Sequence, residues 1–236
     1  MQVLVSTQEH IDRLAAARLQ ADIMGTETLI VARTDAEAAT FLDTDVDPRD
    51  HPFILGVADA TVPSLNDAIR SAIQKGASLE EVDNLSAEWN EKVEVLTYWE
   101  AVERAIGNTR QDVKNTWQKK SKGMSLWEAS HLAKELGVDV SWSSDKPRTR
   151  EGYYRINGGL DFGCARGVAF APYADLVWME TKSPSLKEAK KFSDAVLSVY
   201  PKQMLCYNNS PSFNWDAAGM SSEDMQSYIW QLGKMG

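Results

Sequence analysis

Asp175-Leu176-Val177-Trp178-Met179 is an apolar run without polar alternation, closed by Glu180-Thr181 and followed at once by Ser183-Pro184. Such a run reads as a strand buried on both faces. The Pro, with Leu186, Ala189, Phe192 and Val196 behind it at helical spacing, reads as a helix start. The same grammar lies on either side. Downstream, Gln203-Met204-Leu205-Cys206-Tyr207 ends in the polar cluster Asn208-Asn209-Ser210-Pro211-Ser212, and Ser221 caps a further helix with Met225, Tyr228, Ile229 and Leu232 on its apolar side. Upstream, Thr28-Leu29-Ile30-Val31-Ala32 runs into Arg33-Thr34-Asp35. The helix before it opens on Ser6-Thr7-Gln8-Glu9, in the form of a capping box, carries Ile11, Leu14 and Ala15, and stops at Gly25. Buried strands each followed by a polar cluster and a helix predict parallel βα units, an α/β fold whose chemistry belongs at the strand carboxyl ends.

About 140 residues separate the first of these strands from the second, several times the roughly 30 of one βαβ unit, so a segment is inserted. From Leu65 to Leu136 the insert reads as helical, rich in Ala, Glu, Lys, Leu and Trp, with hinges at Lys75-Gly76-Ala77-Ser78, Gly107-Asn108-Thr109 and Gly123-Met124-Ser125. Trp89, Trp99, Trp117 and Trp127 in it are expected to form inter-helix core rather than to stack on a ligand. The expected division is a βα segment over 1–56, a helical insertion domain over 57–146, and two further βα units over 147–236.

The 236 residues are 43% hydrophobic and 25% charged, the composition of an ordinary globular chain able to bury a core. The formal charge of -9, from 34 acidic against 25 basic residues, repels phosphate backbones and acidic membranes, so nucleic acid is not an expected partner. No apolar run approaches the roughly 18 residues of a membrane span, and no leader pattern follows Met1. Cys164 and Cys206, far apart in apolar or small-residue contexts, read as reduced core thiols of an intracellular protein.

If the three strands share one sheet, Arg33, Asp35, Glu180, Asn208, Ser210 and Ser212 project at one end. Arg33 offers a planar fork suited to a carboxylate. Asn208, Ser210 and Ser212 add neutral donors that hold a second carboxylate without titrating, and Glu180 balances Arg33 or accepts from a substrate hydroxyl. A small di- or tricarboxylic acid fits this set better than a phosphate ester, since the chain has no P-loop or glycine-rich cradle. The plainer alternative is that Arg33 pairs with Asp35 or Glu37 in a structural bridge and that Ser210-Pro211-Ser212 is only a turn. His10, His51 and His131 show no metal-ligand spacing and read as surface or helix-packing residues. The stretch Asp43 to Asp50 lacks the glycine and closing glutamate of a calcium loop and reads as a solvated loop.

Five strings carry a family resemblance: VARTDAEAAT (Val31 to Thr40), DPRDHPFILG (Asp47 to Gly56), RTREGYYRI (Arg148 to Ile156), ADLVWMET (Ala174 to Thr181) and NNSPSFNWDAAGM (Asn208 to Met220). In this order they resemble the central and later part of isocitrate lyases, and the resemblance covers nearly the whole chain. The insert is similar to the extra helical domain of the eukaryotic, especially fungal, enzymes. The resemblance implies a (β/α)8 barrel of which this chain supplies roughly strands five to seven, and the reversible cleavage of isocitrate to glyoxylate and succinate in the glyoxylate bypass. It matches Arg33 to the arginine that contacts the glyoxylate and succinate portions, Glu180 to the glutamate on the next strand, and Asn208, Ser210 and Ser212 to the positions that bind the succinate carboxylates. Asn209 departs from the pattern, which has Leu or Cys there.

The family's Lys-Lys-Cys-Gly-His motif, whose cysteine handles the proton at the succinate carbon, would lie just before Val3, and the acidic cluster that holds Mg2+ earlier still. The resemblance therefore implies a chain that is inactive alone, with the Mg2+ of the full-length enzyme held by residues outside it. It also implies a homo-oligomer for the full-length enzyme and leaves open glyoxysome, peroxisome, cytoplasm or mitochondrion. The nearest alternative is 2-methylisocitrate lyase, yielding pyruvate and succinate. An alternative of another class is a non-catalytic, truncated assembly partner.

Overall fold

The computed structural model describes residues 2–211 and 213–236. In chain order, β1 (Val3–Leu4), α1 (Thr7–Met24) and β2 (Val31–Thr34) come first. Then follow β3 (Phe41–Leu42), β4 (Leu55–Gly56), α2 (Leu65–Gln74), α3 (Leu79–Lys92), β5 (Leu96–Thr97), α4 (Tyr98–Ile106), α5 (Gln111–Lys120), α6 (Leu126–Glu135) and β6 (Tyr154–Arg155). Last come α7 (Leu160–Phe170), β7 (Leu176–Met179), α8 (Leu186–Val199), β8 (Met204–Cys206) and α9 (Ser222–Gly233). The chain divides into two compact units, one of residues 1–40 and 158–236, the other of residues 41–157.

In the first unit β2, β7 and β8 form a parallel sheet in the order β2-β7-β8, with Val31 opposite Leu176 and Leu176 opposite Met204. This is the α/β arrangement expected from the repeated apolar runs, although β2 starts three residues later than Thr28. The strands are not buried on both faces. Val177 and Met179 are buried in one core with Phe192 and Val196 of α8, and Ala32 in another with Phe170 of α7, whereas Val31 is 44% exposed and Met204 54% exposed on the opposite face. A short apolar run cannot distinguish one covered face from two, which is why the periodicity overstated the burial. The α1 helix packs Ile11 and Leu14 on Ala32 and Phe170. Its cap is half of the expected box: Ser6 Oγ accepts from the Glu9 N–H at 3.2 Å, while the Glu9 carboxylate turns to Arg13 at 2.8 Å. At the other end Gly25 takes φ 66°, a left-handed cap that a side chain would strain.

His10, on α1, packs its ring 4.4 Å from Phe170, and its Nε2 has no hydrogen-bond partner among the described residues. Burial, reinforced by the nearby Arg166 and Arg13 charges, lowers its pKa to about 4. The unfolded chain then binds more protons than the folded one between roughly pH 6.5 and 4, so stability is complete above that window and falls as the solution is acidified through it. Allowing for the ring's partial exposure, the loss is about 1 to 2 kcal/mol. Urea midpoints at pH 7 and pH 4.5 should show it, and His10→Phe should flatten the difference. An unchanged difference would mean that another group sets the acid limb.

The second unit is built on helices α2 to α6, joined at the Gly76, Gly107 and Gly123 hinges expected from the sequence. Ser78, Thr97 and Ser125 each form a full capping box with Glu81, Glu100 and Glu128, which defines three of the helix starts. Trp117, 1% exposed, packs against Tyr98, Val102 and Ile106, and Trp89 closes a second cluster with Val82 and Ile69. Trp99 packs at the edge of the first cluster and donates to the Ser121 carbonyl at 3.1 Å. Trp127 departs from the expected core role: it is 68% exposed and lies against His131 with ring centroids 4.1 Å apart.

Short antiparallel pairs, β3 with β6 and β4 with β5, accompany the helices, and at two residues each they left no alternation to read. Gly56 in β4 sits where a Cβ would fall 2.4 Å from the Trp142 ring, so only glycine fits. The acidic stretch is not the solvated loop expected. Asp47 and Asp50 are buried, Asp47 pairs with Arg49 at 2.7 Å, and the neighbouring His51 ring accepts from the Leu126 N–H at 3.0 Å. The partner of His51, 75 residues away, is one that the local sequence could not show.

Candidate functional site

Because side chains alternate along a strand, Val31 and Arg33 on β2, Leu176 and Trp178 on β7, and Met204 and Cys206 on β8 share the face that the helices leave open. Arg33 lies opposite Trp178, which lies opposite Cys206. One step further along the same face come Asp35, Glu180 and Asn208, beyond the carboxyl ends of the three strands. The Glu180 N–H donates to the Thr34 carbonyl at 2.9 Å, which prolongs the ladder and fixes the place from which the glutamate projects.

The guanidinium of Arg33 lies with its central carbon 4.8 Å from the Trp178 ring centroid, and its Nη2 reaches Asp35 Oδ1 at 3.0 Å and Glu180 Oε2 at 3.3 Å. The other Glu180 oxygen, Oε1, accepts from Asn208 Nδ2 at 3.2 Å. Arg33, Glu180 and Asn208 are thus joined, one from each strand end. The structural bridge from Arg33 to Asp35 also exists, so the two readings of the arginine coexist rather than compete. Nε and Nη1 of Arg33 have no partner among the described residues and remain available to a planar anion, and the side chain is 47% exposed. Glu37, the other partner considered for Arg33, instead lies 3.6 Å from Lys182.

Asn208 is held more tightly than the sequence suggested. Its Oδ1 accepts from the Thr181 N–H at 3.2 Å, the Thr181 hydroxyl at 3.1 Å and the Trp178 indole N–H at 3.4 Å, and its Nδ2 also donates to the Thr181 carbonyl at 3.2 Å. The backbone and indole N–H groups can only donate, so they fix which end of the amide is oxygen. An incoming carboxylate must therefore displace Glu180 from Nδ2. Ser210 is half-buried two residues further on, where its carbonyl accepts from the Phe213 N–H at 3.1 Å. Ser212 lies outside the described residues. Trp178 and Thr181 are the site residues that sequence reasoning missed; Trp178 stands two before Glu180, and the period of two places them on one face.

Arg33 faces the two carboxylates Asp35 and Glu180, so this cluster has a formal charge of one negative unit before any ligand arrives. No group of three or more His, Cys, Asp or Glu side chains capable of holding a metal ion occurs among the described residues. The described residues therefore do not fit a Mg2+ donor set. An apolar cavity of about 310 Å³, lined by Met179, Phe192, Leu205, Ile229 and Met235 among others, lies beside this site but includes none of Arg33, Glu180 or Asn208. Its lining carries no charged side chain.

The isocitrate lyase family matches residues 1–236. The chain belongs to that family. It is 42% identical to an isocitrate lyase of Pinus taeda, 43% identical to one of Oryza sativa subsp. japonica, and 41% identical to a mitochondrial 2-methylisocitrate lyase of Hypocrea atroviridis. Each match covers 99% of this chain and 43% of the relative, so the chain spans less than half the length of these isocitrate lyase family members. No described helix is long and apolar enough to cross a membrane.

Proposed function

We propose that these 236 residues form the carboxylate-binding side of an isocitrate lyase active site, with β2, β7 and β8 as roughly the fifth, sixth and seventh strands of a (β/α)8 barrel and residues 57–146 as its helical insertion. The observation that carries the reading is the junction of Arg33, Glu180 and Asn208 at the ends of adjacent parallel strands on an open face. In a closed barrel that face is the interior, and the strand carboxyl ends are where ligands sit. The whole protein then cleaves isocitrate reversibly to glyoxylate and succinate in the glyoxylate bypass.

Within this chain the roles are binding and orientation. Arg33 presents Nε and Nη1 to a substrate carboxylate. Glu180, held at both oxygens, accepts from the substrate hydroxyl or exchanges Asn208 for it. Asn208 Nδ2, together with Ser210 and Ser212, takes up a succinate carboxylate. The local cluster starts with an excess negative charge, to which a carboxylate ligand adds. The Mg2+ expected of the family enzyme would be held by residues other than these and would supply positive charge at the glyoxylate portion. The substrate is a small tricarboxylic acid, the whole protein is a homo-oligomer working inside the cell, and nucleic acid and membrane are not partners.

A second reading, 2-methylisocitrate lyase, is favoured by the 41% identity to the Hypocrea atroviridis protein of that name. One methyl group discriminates by about 1 to 3 kcal/mol, or roughly 10- to 200-fold. Assay of the complete natural polypeptide containing residues 1–236 should give a kcat/KM for isocitrate at least about tenfold above that for 2-methylisocitrate. The reverse order would move the assignment to the second reading, and cleavage of neither would overturn the lyase proposal.

A further inference from the structure

Four polar groups converge on one phenol outside the cluster just described. The Tyr207 hydroxyl, at the end of β8, accepts from the Tyr228 hydroxyl of α9 at 2.9 Å and from the Ser185 N–H at 3.3 Å, and lies 3.5 Å from the Ser183 carbonyl and 3.3 Å from the Thr181 hydroxyl. A phenol has one hydrogen and two lone pairs. With Tyr228 and Ser185 as donors and Ser183 as acceptor, Tyr207 is saturated, so the single hydrogen of the Thr181 hydroxyl goes to Asn208 Oδ1 at 3.1 Å.

We propose that Tyr207 and Tyr228 are positioning residues that clamp the turn from Thr181 to Ser185 onto the end of β8, and that Thr181 thereby locks the Asn208 amide with its Nδ2 turned toward Glu180. The clamp ties three elements: the turn after β7, the end of β8, and α9. Thr181 and Tyr228 are buried, and Tyr228 is packed edge-on against Tyr207 and Trp215, so neither hydroxyl has water as an easy substitute partner. Burial, followed by the bond to Tyr207, pushes the Tyr228 phenol well above the usual tyrosine range. It stays a donor at every working pH. This clamp rests on the reading of Asn208 as a carboxylate ligand.

The test is calorimetric titration of succinate into the complete natural polypeptide containing residues 1–236, as wild type and as Tyr207→Phe, Thr181→Val and Thr181→Ser, with each thermal midpoint measured alongside. Tyr207→Phe leaves the Tyr228 hydroxyl without its acceptor and removes one of the two phenols that meet the Ser185 N–H, and should raise the succinate Kd about tenfold. Thr181→Val should raise it about three- to tenfold, and Thr181→Ser, which keeps the hydroxyl, should restore it to within about twofold of wild type. A merely structural role would lower the thermal midpoint without this hydroxyl-dependent recovery of affinity. If Tyr207→Phe does not fold, the two Thr181 variants decide. Wild type failing to bind succinate would overturn the carboxylate reading itself. Wild type binding, with Thr181→Val equal to it in Kd, would overturn the clamp and leave that reading standing.

Discussion

Glyoxylate release by residues 1–236 alone should not exceed the uncatalysed background, with or without Mg2+. Cleavage of isocitrate needs a group that exchanges a proton with the succinate carbon and positive charge at the oxygen that becomes the glyoxylate carbonyl. The chain contains no Lys-Lys-Cys-Gly-His and two cysteines, Cys164 and Cys206. Cys164 is buried on α7, on the helix side of the sheet, and that burial pushes its thiol up to about 11, so it carries no useful thiolate at neutral pH. Cys206 is part of β8 itself, opposite Trp178 and two residues short of Asn208, where it forms floor rather than a mobile catalytic loop. Without thiolate and metal the rate should lie at least about 10⁴-fold below that of the complete polypeptide, since proton transfer alone contributes about 10²–10⁴. Magnesium-dependent glyoxylate production by the isolated chain, abolished by Cys206→Ala, would show that this cysteine does what the account denies it.

The parallel βα units were legible because each apolar run is followed by a polar cluster and a capped helix, signals that depend only on neighbours in the chain. The openness of one sheet face was not, because Val31 and Met204 are as apolar as Ala32 and Val177, and only the positions of distant helices decide which of them is covered. Also unread were the burial of Asp47, although its charge is met by Arg49 two residues on, and the exposure of Trp127, which lies against His131 one turn along its own helix. At the site, Arg33, Glu180 and Asn208 could be named because strand ends are where a sheet presents polar groups. Their coupling could not. That Asp35 and Glu180 share Arg33, or that Thr181 and Trp178 saturate Asn208 Oδ1, depends on register and rotamer, which one sequence does not state.

Arg33→Ala should produce the largest loss of ligand affinity of any single substitution in this chain. The side chain performs two electrostatic tasks at once: it offers Nε and Nη1 to a carboxylate and it holds Asp35 and Glu180 together across 3.0 and 3.3 Å. Removing it leaves two carboxylates facing an anionic ligand with no shared cation, so the substitution adds repulsion to the lost attraction. Truncating one member of such a set costs about 2 to 5 kcal/mol, and the half-exposure of Arg33 places the expectation toward the lower half, about 30- to 300-fold in Kd. The fold should tolerate the change, since the guanidinium lies on the open face and its stacking on Trp178 contributes about 0.5 to 1 kcal/mol at an exposed site. Arg33→Lys keeps the charge without the planar fork and should fall between the two. Succinate titrated calorimetrically into the complete natural polypeptide carrying Arg33, Arg33→Lys or Arg33→Ala tests the assignment most directly: affinity should fall in that order, with Arg33→Ala weaker by at least about 30-fold, whereas equal dissociation constants for the arginine and alanine forms would contradict a carboxylate site at the ends of β2, β7 and β8.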